Sequence, residues 1–247
     1  MNKKKLLTNS LAVFAFASAL SSPVEAAPVL VNGGFEAGFT GWVTADSLGS
    51  DGTFTLQNGT TSPINFDPVP APPGGVSAVM SDGGGPGTHV LWQDFLVTSG
   101  GPQVMLSFDL FTGNRAQVFG TPNPANLDFG INAANQQVRV DLLMGSADPF
   151  SVAAGDVLLN LYQSQPGDAL VAGYTTYSFD ISSVLNANLG NTLRIRFAET
   201  DNLAALQAGV DNVGITEVTE AVPEPATVAM VGIGFALLAG TLRRRRA

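Results

Sequence analysis

The chain has 247 residues, no cysteine, one histidine and a formal net charge of −9 at pH 7. Without cysteine there is no disulfide, no thiolate metal site and no cysteine nucleophile, and a single histidine excludes a histidine metal cluster. Residues 27–221 keep only four basic residues, Arg115, Arg139, Arg194 and Arg196, against eighteen acidic ones, a net charge near −14; so little cationic charge excludes nucleic acid and anionic membrane surfaces as partners.

The N-terminus has the layout of a secretory signal peptide. Lys3, Lys4 and Lys5 precede an apolar stretch from Leu11 to Leu20 and then Ser21-Ser22-Pro23-Val24-Glu25-Ala26. Val24 and Ala26 suit the two recognition positions, so signal peptidase is predicted to cut between Ala26 and Ala27. A cut after Ala27 would leave Pro28 just beyond the scissile bond.

Residues 27–221 are long enough to bury one core. Sustained helical periodicity is missing, and glycine, proline, asparagine and aspartate are frequent, which points to short strands joined by loops. Three segments alternate apolar and polar residues with period two: Leu106 to Leu110, Val138 to Leu142 and Leu193 to Phe197. Further strands are predicted at 28–31, 42–45, 53–57, 76–80, 89–97, 157–163, 174–181 and 209–216, with one helical turn at 182–188. Half-buried strands need a partner sheet, so the expected fold is all-β, an antiparallel β-sandwich or jelly roll. Loops are predicted at 62–75, which contains five prolines, at 81–87 and at 112–136. The 81–87 loop is rich in glycine but lacks the Lys and Ser or Thr that would make it a phosphate cradle.

Val31-Asn32-Gly33-Gly34-Phe35-Glu36-Ala37-Gly38 with Gly41-Trp42, and Gly209-Val210-Asp211-Asn212-Val213-Gly214-Ile215 near the other end, resemble the first and last strands of galactose-binding-like jelly rolls and carbohydrate-binding modules. The resemblance covers about 20 residues. It implies the sandwich, and it implies a structural calcium held by Glu36 and Asp211 with backbone carbonyls. On the residues alone, two close carboxylates need a cation between them; equally, Glu36 can accept hydrogen bonds in a turn while Asp211 pairs with an arginine. Asp46 and Asp51 are further calcium candidates. Phe35 and Trp42 are expected in the core.

A glycan site needs an exposed aromatic face flanked by polar groups. Trp92, Tyr162, Tyr174 and Tyr177 are available, and alternation leaves open which face of Trp92 is buried. Arg139, Arg194 and Arg196 stand opposite apolar neighbours, either lining a concave sheet or neutralising aspartates. No glycan-binding residue is assigned. His89, the one histidine, has no nucleophile elbow to serve, so no catalytic residue is expected. Eighteen acids always contain some pair, so a glycan-processing hydrolase or lyase stays as the alternative.

The chain closes with Val222-Pro223-Glu224-Pro225, an uncharged run from Ala226 to Leu242, and Arg243, Arg244, Arg245 and Arg246. At ~1.5 Å per residue, that run makes a helix of roughly 25 Å, a marginal membrane span. The arginines mark its cytoplasmic end, leaving the preceding domain outside. A Pro-Glu-Pro box, an apolar helix and a basic cluster resemble the PEP-CTERM sorting signal of Gram-negative bacteria. That resemblance implies processing by exosortase near the box and delivery to the envelope or exopolysaccharide matrix. The expected organisation is a signal peptide at 1–26, a sandwich at 27–221 and a sorting signal at 222–247. The expected function is a non-catalytic, exported structural, adhesive or weakly glycan-binding protein of the envelope or biofilm matrix.

Overall fold

The computed structural model describes residues 29–62, 66–73, 75, 78–82 and 84–218. The predicted signal peptide and membrane helix lie outside them. Among the described residues no helix is long and apolar enough to cross a membrane.

Among the described residues ten strands and one short helix follow one another as β1 (Val43–Asp46), β2 (Thr53–Gln57), β3 (Ala78–Asp82), β4 (Gly87–Leu96), β5 (Val104–Asn114), β6 (Gln137–Met144), β7 (Val157–Gln163), β8 (Val171–Asp180), α1 (Ser182–Ala187), β9 (Thr192–Asp201) and β10 (Leu206–Glu217). They form two five-stranded sheets, ordered β1-β4-β9-β6-β7 and β2-β3-β10-β5-β8. The strand pairings are antiparallel. The expected sandwich is what forms, because each sheet has one apolar face that only the other sheet can cover.

The period-two segments supply those faces. Leu106, Phe108 and Leu110 of β5 enter the same core as Val138, Val140 and Leu142 of β6 and Leu193, Ile195 and Phe197 of β9. Phe108 meets Phe197 edge to face with ring centroids 5.3 Å apart, joining the sheets at the centre. A pair of this geometry adds about 0.5–1.5 kcal/mol beyond area burial. On one flank β1 contacts β2 and closes the sandwich. On the other, the edge strands β7 and β8 are bridged by Tyr162 and Tyr177, centroids 5.0 Å apart.

Among the described residues the strand predicted at 28–31 does not form. Residues 29–31 are irregular, and the following segment folds into turns instead of extending. Asn32 organises them: its Nδ2 donates to Gly38 O at 2.8 Å, and its Oδ1 accepts from Ala37 N at 3.1 Å. Backbone hydrogen bonds satisfied within a turn are not available to a ladder, so the segment does not pair as a strand. Gly33 makes a close approach possible here: Val213 N donates to its carbonyl at 2.9 Å, and a Cβ on Gly33 would fall 1.8 Å from Val213 O. Phe35 and Trp42 are buried as expected, with centroids 5.0 Å apart.

Candidate functional site

β10 slips in register against β5 between Asp211 and Gly214. The slip is a bulge, and it re-aims the side chains around it. Asp211 lies directly opposite Asp109 on β5, a like-charge pairing that is destabilising on its own. Asn212 sits in the bulge with φ +50° and spans the pair. Its Nδ2 donates to Asp109 Oδ2 at 2.8 Å and to Pro73 O at 3.0 Å, while its backbone N–H donates to Asp211 Oδ1 at 2.7 Å.

The other oxygen of Asp211 is left over. Oδ2 is buried and has no hydrogen-bond donor, in a residue only 1% exposed. Burial pushes the Asp211 carboxyl up to about 7; the Asn212 N–H works against the shift, and the charges of Asp109 and Glu36 add to it. Glu36 reaches this cluster from a turn, not from the first strand as expected. It presses on the Pro-rich loop so closely that a Cβ on Gly75 would fall 2.0 Å from its Oε1. The predicted pair, Glu36 and Asp211, therefore belongs to one acidic cluster with Asp109 as third member. Asp109 is legible only once the β5–β10 register is known.

A hard cation suits this donor set, since it would accept the unpaired Asp211 oxygen and relieve repulsion among three carboxylates. Among the described residues no three His, Cys, Asp or Glu side chains form a ready-made metal cage. Backbone oxygens would have to complete the shell. Asp46 and Asp51 are engaged elsewhere: Asp46 Oδ1 lies 2.7 Å from His89 Nδ1, and Asp51 Oδ2 accepts from Gly84 N at 3.0 Å.

The strand arginines are neutralised, which decides between the two readings of them. Arg139 donates from Nε and Nη2 to the two oxygens of Asp141, each at 2.7 Å. Arg196, fully buried, donates to the same carboxylate and to the carbonyls of Pro149 and Ser151. Burial opposes ionisation of Asp141, yet the hydrogen bonds and charges of Arg139 and Arg196 outweigh it and hold the carboxyl below its usual range. Arg194 pairs with Asp94, donates to Gly145 O and Ala147 O, and lies over the Trp92 ring, 5.2 Å from its centroid.

These bonds draw residues 145–151 across the outer face of the first sheet. Leu127, from the loop predicted at 112–136, joins Val90 and Ala198 there, with Trp92, Phe150 and Val152 packed around them. The centre of that outer face is consequently covered. It is not an open concave surface lined by arginine, and Trp92 is half-buried on that outer side while Leu91 and Phe95 face the core.

Residues 221–246 match the PEP-CTERM protein-sorting motif. No curated protein matches the sequence. Among solved structures, the K3 cleaved adhesin domain of Lys-gingipain from Porphyromonas gingivalis aligns at 15% identity over 76% of this chain and 99% of its own, with a TM-score of 0.46. A family 11 carbohydrate-binding module from Clostridium thermocellum, in complex with a beta-1,3-1,4-mixed-linked tetrasaccharide, aligns at 14% identity over 79% and 99%, TM-score 0.43. A cyclase from Fischerella sp. TAU aligns at 19% identity over 80% and 100%, TM-score 0.42. Likeness at this level bears on neither ligand nor activity. The chain is thus an antiparallel β-sandwich with carbohydrate-binding modules among its structural neighbours, and it carries a PEP-CTERM sorting motif at its C-terminal end.

Proposed function

We propose that this is an exported, non-catalytic protein of the bacterial envelope or exopolysaccharide matrix, whose sandwich has a structural, adhesive or weakly glycan-binding role. The observation that carries the reading is the sorting motif at 221–246, which in the sequence follows the last strand of an acidic sandwich. Signal peptidase removes residues 1–26, the segment 226–242 holds the chain in the inner membrane with the sandwich outside, and exosortase acts near Pro223-Glu224-Pro225. Mass spectrometry of the C-terminus from cells tests this. A chain ending near the box is expected; an intact Arg243 to Ala247 tail on protein found in the cytosol overturns it.

Structural calcium belongs to the same reading. Glu36 and Asp211 would hold the ion, with backbone carbonyls completing an oxygen shell, and it would tie the turns after Asn32 to β10 and the Pro-rich loop. The unpaired Asp211 oxygen and the mutual repulsion of the three carboxylates support it. The non-catalytic part is tested by incubating the protein with a panel of polysaccharides. Retention without new reducing ends is the expected result, and release of new chain ends would establish the hydrolase or lyase alternative.

A further inference from the structure

β7 and β8 are the edge strands of the two sheets on one flank of the sandwich. Tyr162 and Tyr177, half-buried, meet there at an interplanar angle of 60°. With Thr112, Asp168, Ala169 and Ala172 they line a cleft of about 270 Å³. Pockets for drug-sized ligands start at roughly 300 Å³. This cleft therefore has room for one small ring and not for an extended chain.

Its walls are fixed in advance. Tyr177 is backed by Phe108, centroids 5.6 Å apart, and by Phe179 at 6.5 Å, both stacked. Asp168 is held by its own turn, its N–H donating to Gln165 O at 3.1 Å and its Oδ2 accepting from Gln165 N at 2.7 Å. Such a site loses little side-chain freedom when a ligand enters. Burial raises the Tyr162 phenol well above its usual range, and the Tyr177 and Asp168 groups beside it act in the same direction. The phenol remains a hydrogen-bond donor throughout physiological pH.

Charge selects the ligand class. The cleft contributes one carboxylate and no cation. An acidic sugar needs arginine or lysine, and the sandwich has no lysine, while each of its four arginines already faces an aspartate: Arg115 with Asp67, Arg139 and Arg196 with Asp141, Arg194 with Asp94. Aromatic faces beside hydroxyl and carboxylate groups match the apolar face and hydroxyl rim of a pyranose.

We propose that the Tyr162–Tyr177 cleft binds a single neutral hexopyranose residue of a polysaccharide, the tyrosine rings packing on the sugar and Asp168 accepting its hydroxyl hydrogens. The proposal rests on the glycan-binding reading above and locates it at a sandwich edge.

Affinity electrophoresis of the full-length protein in detergent, against a neutral glucan, a neutral galactan and a polyuronate, tests it. Retardation by at least one neutral polymer and none by the polyuronate is expected. Asp168→Asn, which changes an exposed side chain and leaves the fold intact by thermal melt, should weaken that retardation about tenfold, the effect of losing one charge-assisted hydrogen bond. Tyr162→Phe, keeping the ring, should weaken it less than Tyr162→Ala. Binding to a neutral polymer that survives both Asp168→Asn and Tyr162→Ala overturns the cleft assignment alone. Failure of the unaltered protein to bind any polymer overturns the assignment together with the glycan reading.

Discussion

His89 Nδ1 lies 2.7 Å from Asp46 Oδ1, and the other ring nitrogen lies 3.1 Å from Asp51 O and 3.9 Å from Glu199 Oε2. One buried imidazole thereby links β1, β4, β9 and the loop after β1. Both of its nitrogens meet acceptors, which fixes the ring in place between these elements.

Replacing that buried ring with an apolar side chain removes its hydrogen bonding to Asp46 and Asp51, two exposed residues that water can reach. His89→Leu is expected to cost about 0.5–1.5 kcal/mol, the net worth of one hydrogen bond whose acceptor water can reach. Urea denaturation measures the loss. Unchanged stability would mean that Asp46 and Asp51 find other donors.

Asp211 imposes a pH dependence of definite sign. Its folded pKa, about 7, lies above the ordinary carboxyl value of 3.8, so between those values the folded chain holds a proton that the unfolded chain releases. Without metal, its contribution to stability falls as pH rises from about 4 to about 7 and is level beyond. Asp211→Asn should remove this slope. Calcium competes with the proton, so it should raise the melting temperature at pH 8 and do little at pH 5. A melt that is the same with calcium and with chelator at pH 8, in the unaltered protein, counts against the ion.

Asp141 holds two arginines. Asp141→Ala leaves Arg139 and Arg196 buried without their counter-charge, at an expected cost of about 3–5 kcal/mol. Arg196 also anchors Pro149 and Ser151, so hydrogen exchange should rise in 145–156 before the core opens. Replacing Arg139, Asp141 and Arg196 together by apolar residues of similar volume should restore most of the loss.

Gly33 and Gly155 form a matched test of close packing. A Cβ on Gly33 meets the Val213 carbonyl at 1.8 Å, whereas one on Gly155 meets nothing within 4 Å. Gly33→Ala is expected to destabilise by about 1–3 kcal/mol through backbone displacement, and Gly155→Ala to change little. Thermal melts of the two variants decide it.

Most strands are legible from their residues because each has one buried face. Leu193-Arg194-Ile195-Arg196-Phe197 reads as a half-buried strand on periodicity alone, and it lies within β9. The segment from Asn32 to Trp42 is not legible in the same way, because an asparagine side chain and several glycines satisfy its backbone locally. Arginines opposite apolar neighbours are legible as outward-facing, but what lies over them is not. Residues 145–151 show no pattern that announces a cover; they become one because Arg194 and Arg196 bond their carbonyls.

By itself the amino-acid order determines the all-β class, the acidic exterior with almost no free cation, and the terminal sorting motif, because periodicity, composition and contiguous motifs are local properties. The tertiary structure alone decided that Asp109 stands against Asp211, that Tyr162 meets Tyr177 across the sandwich edge, and that the arginines are occupied. Each of those depends on strand register and sheet order. They bring together residues up to about a hundred positions apart, and they are set by which apolar faces pack, not by any short stretch of chain.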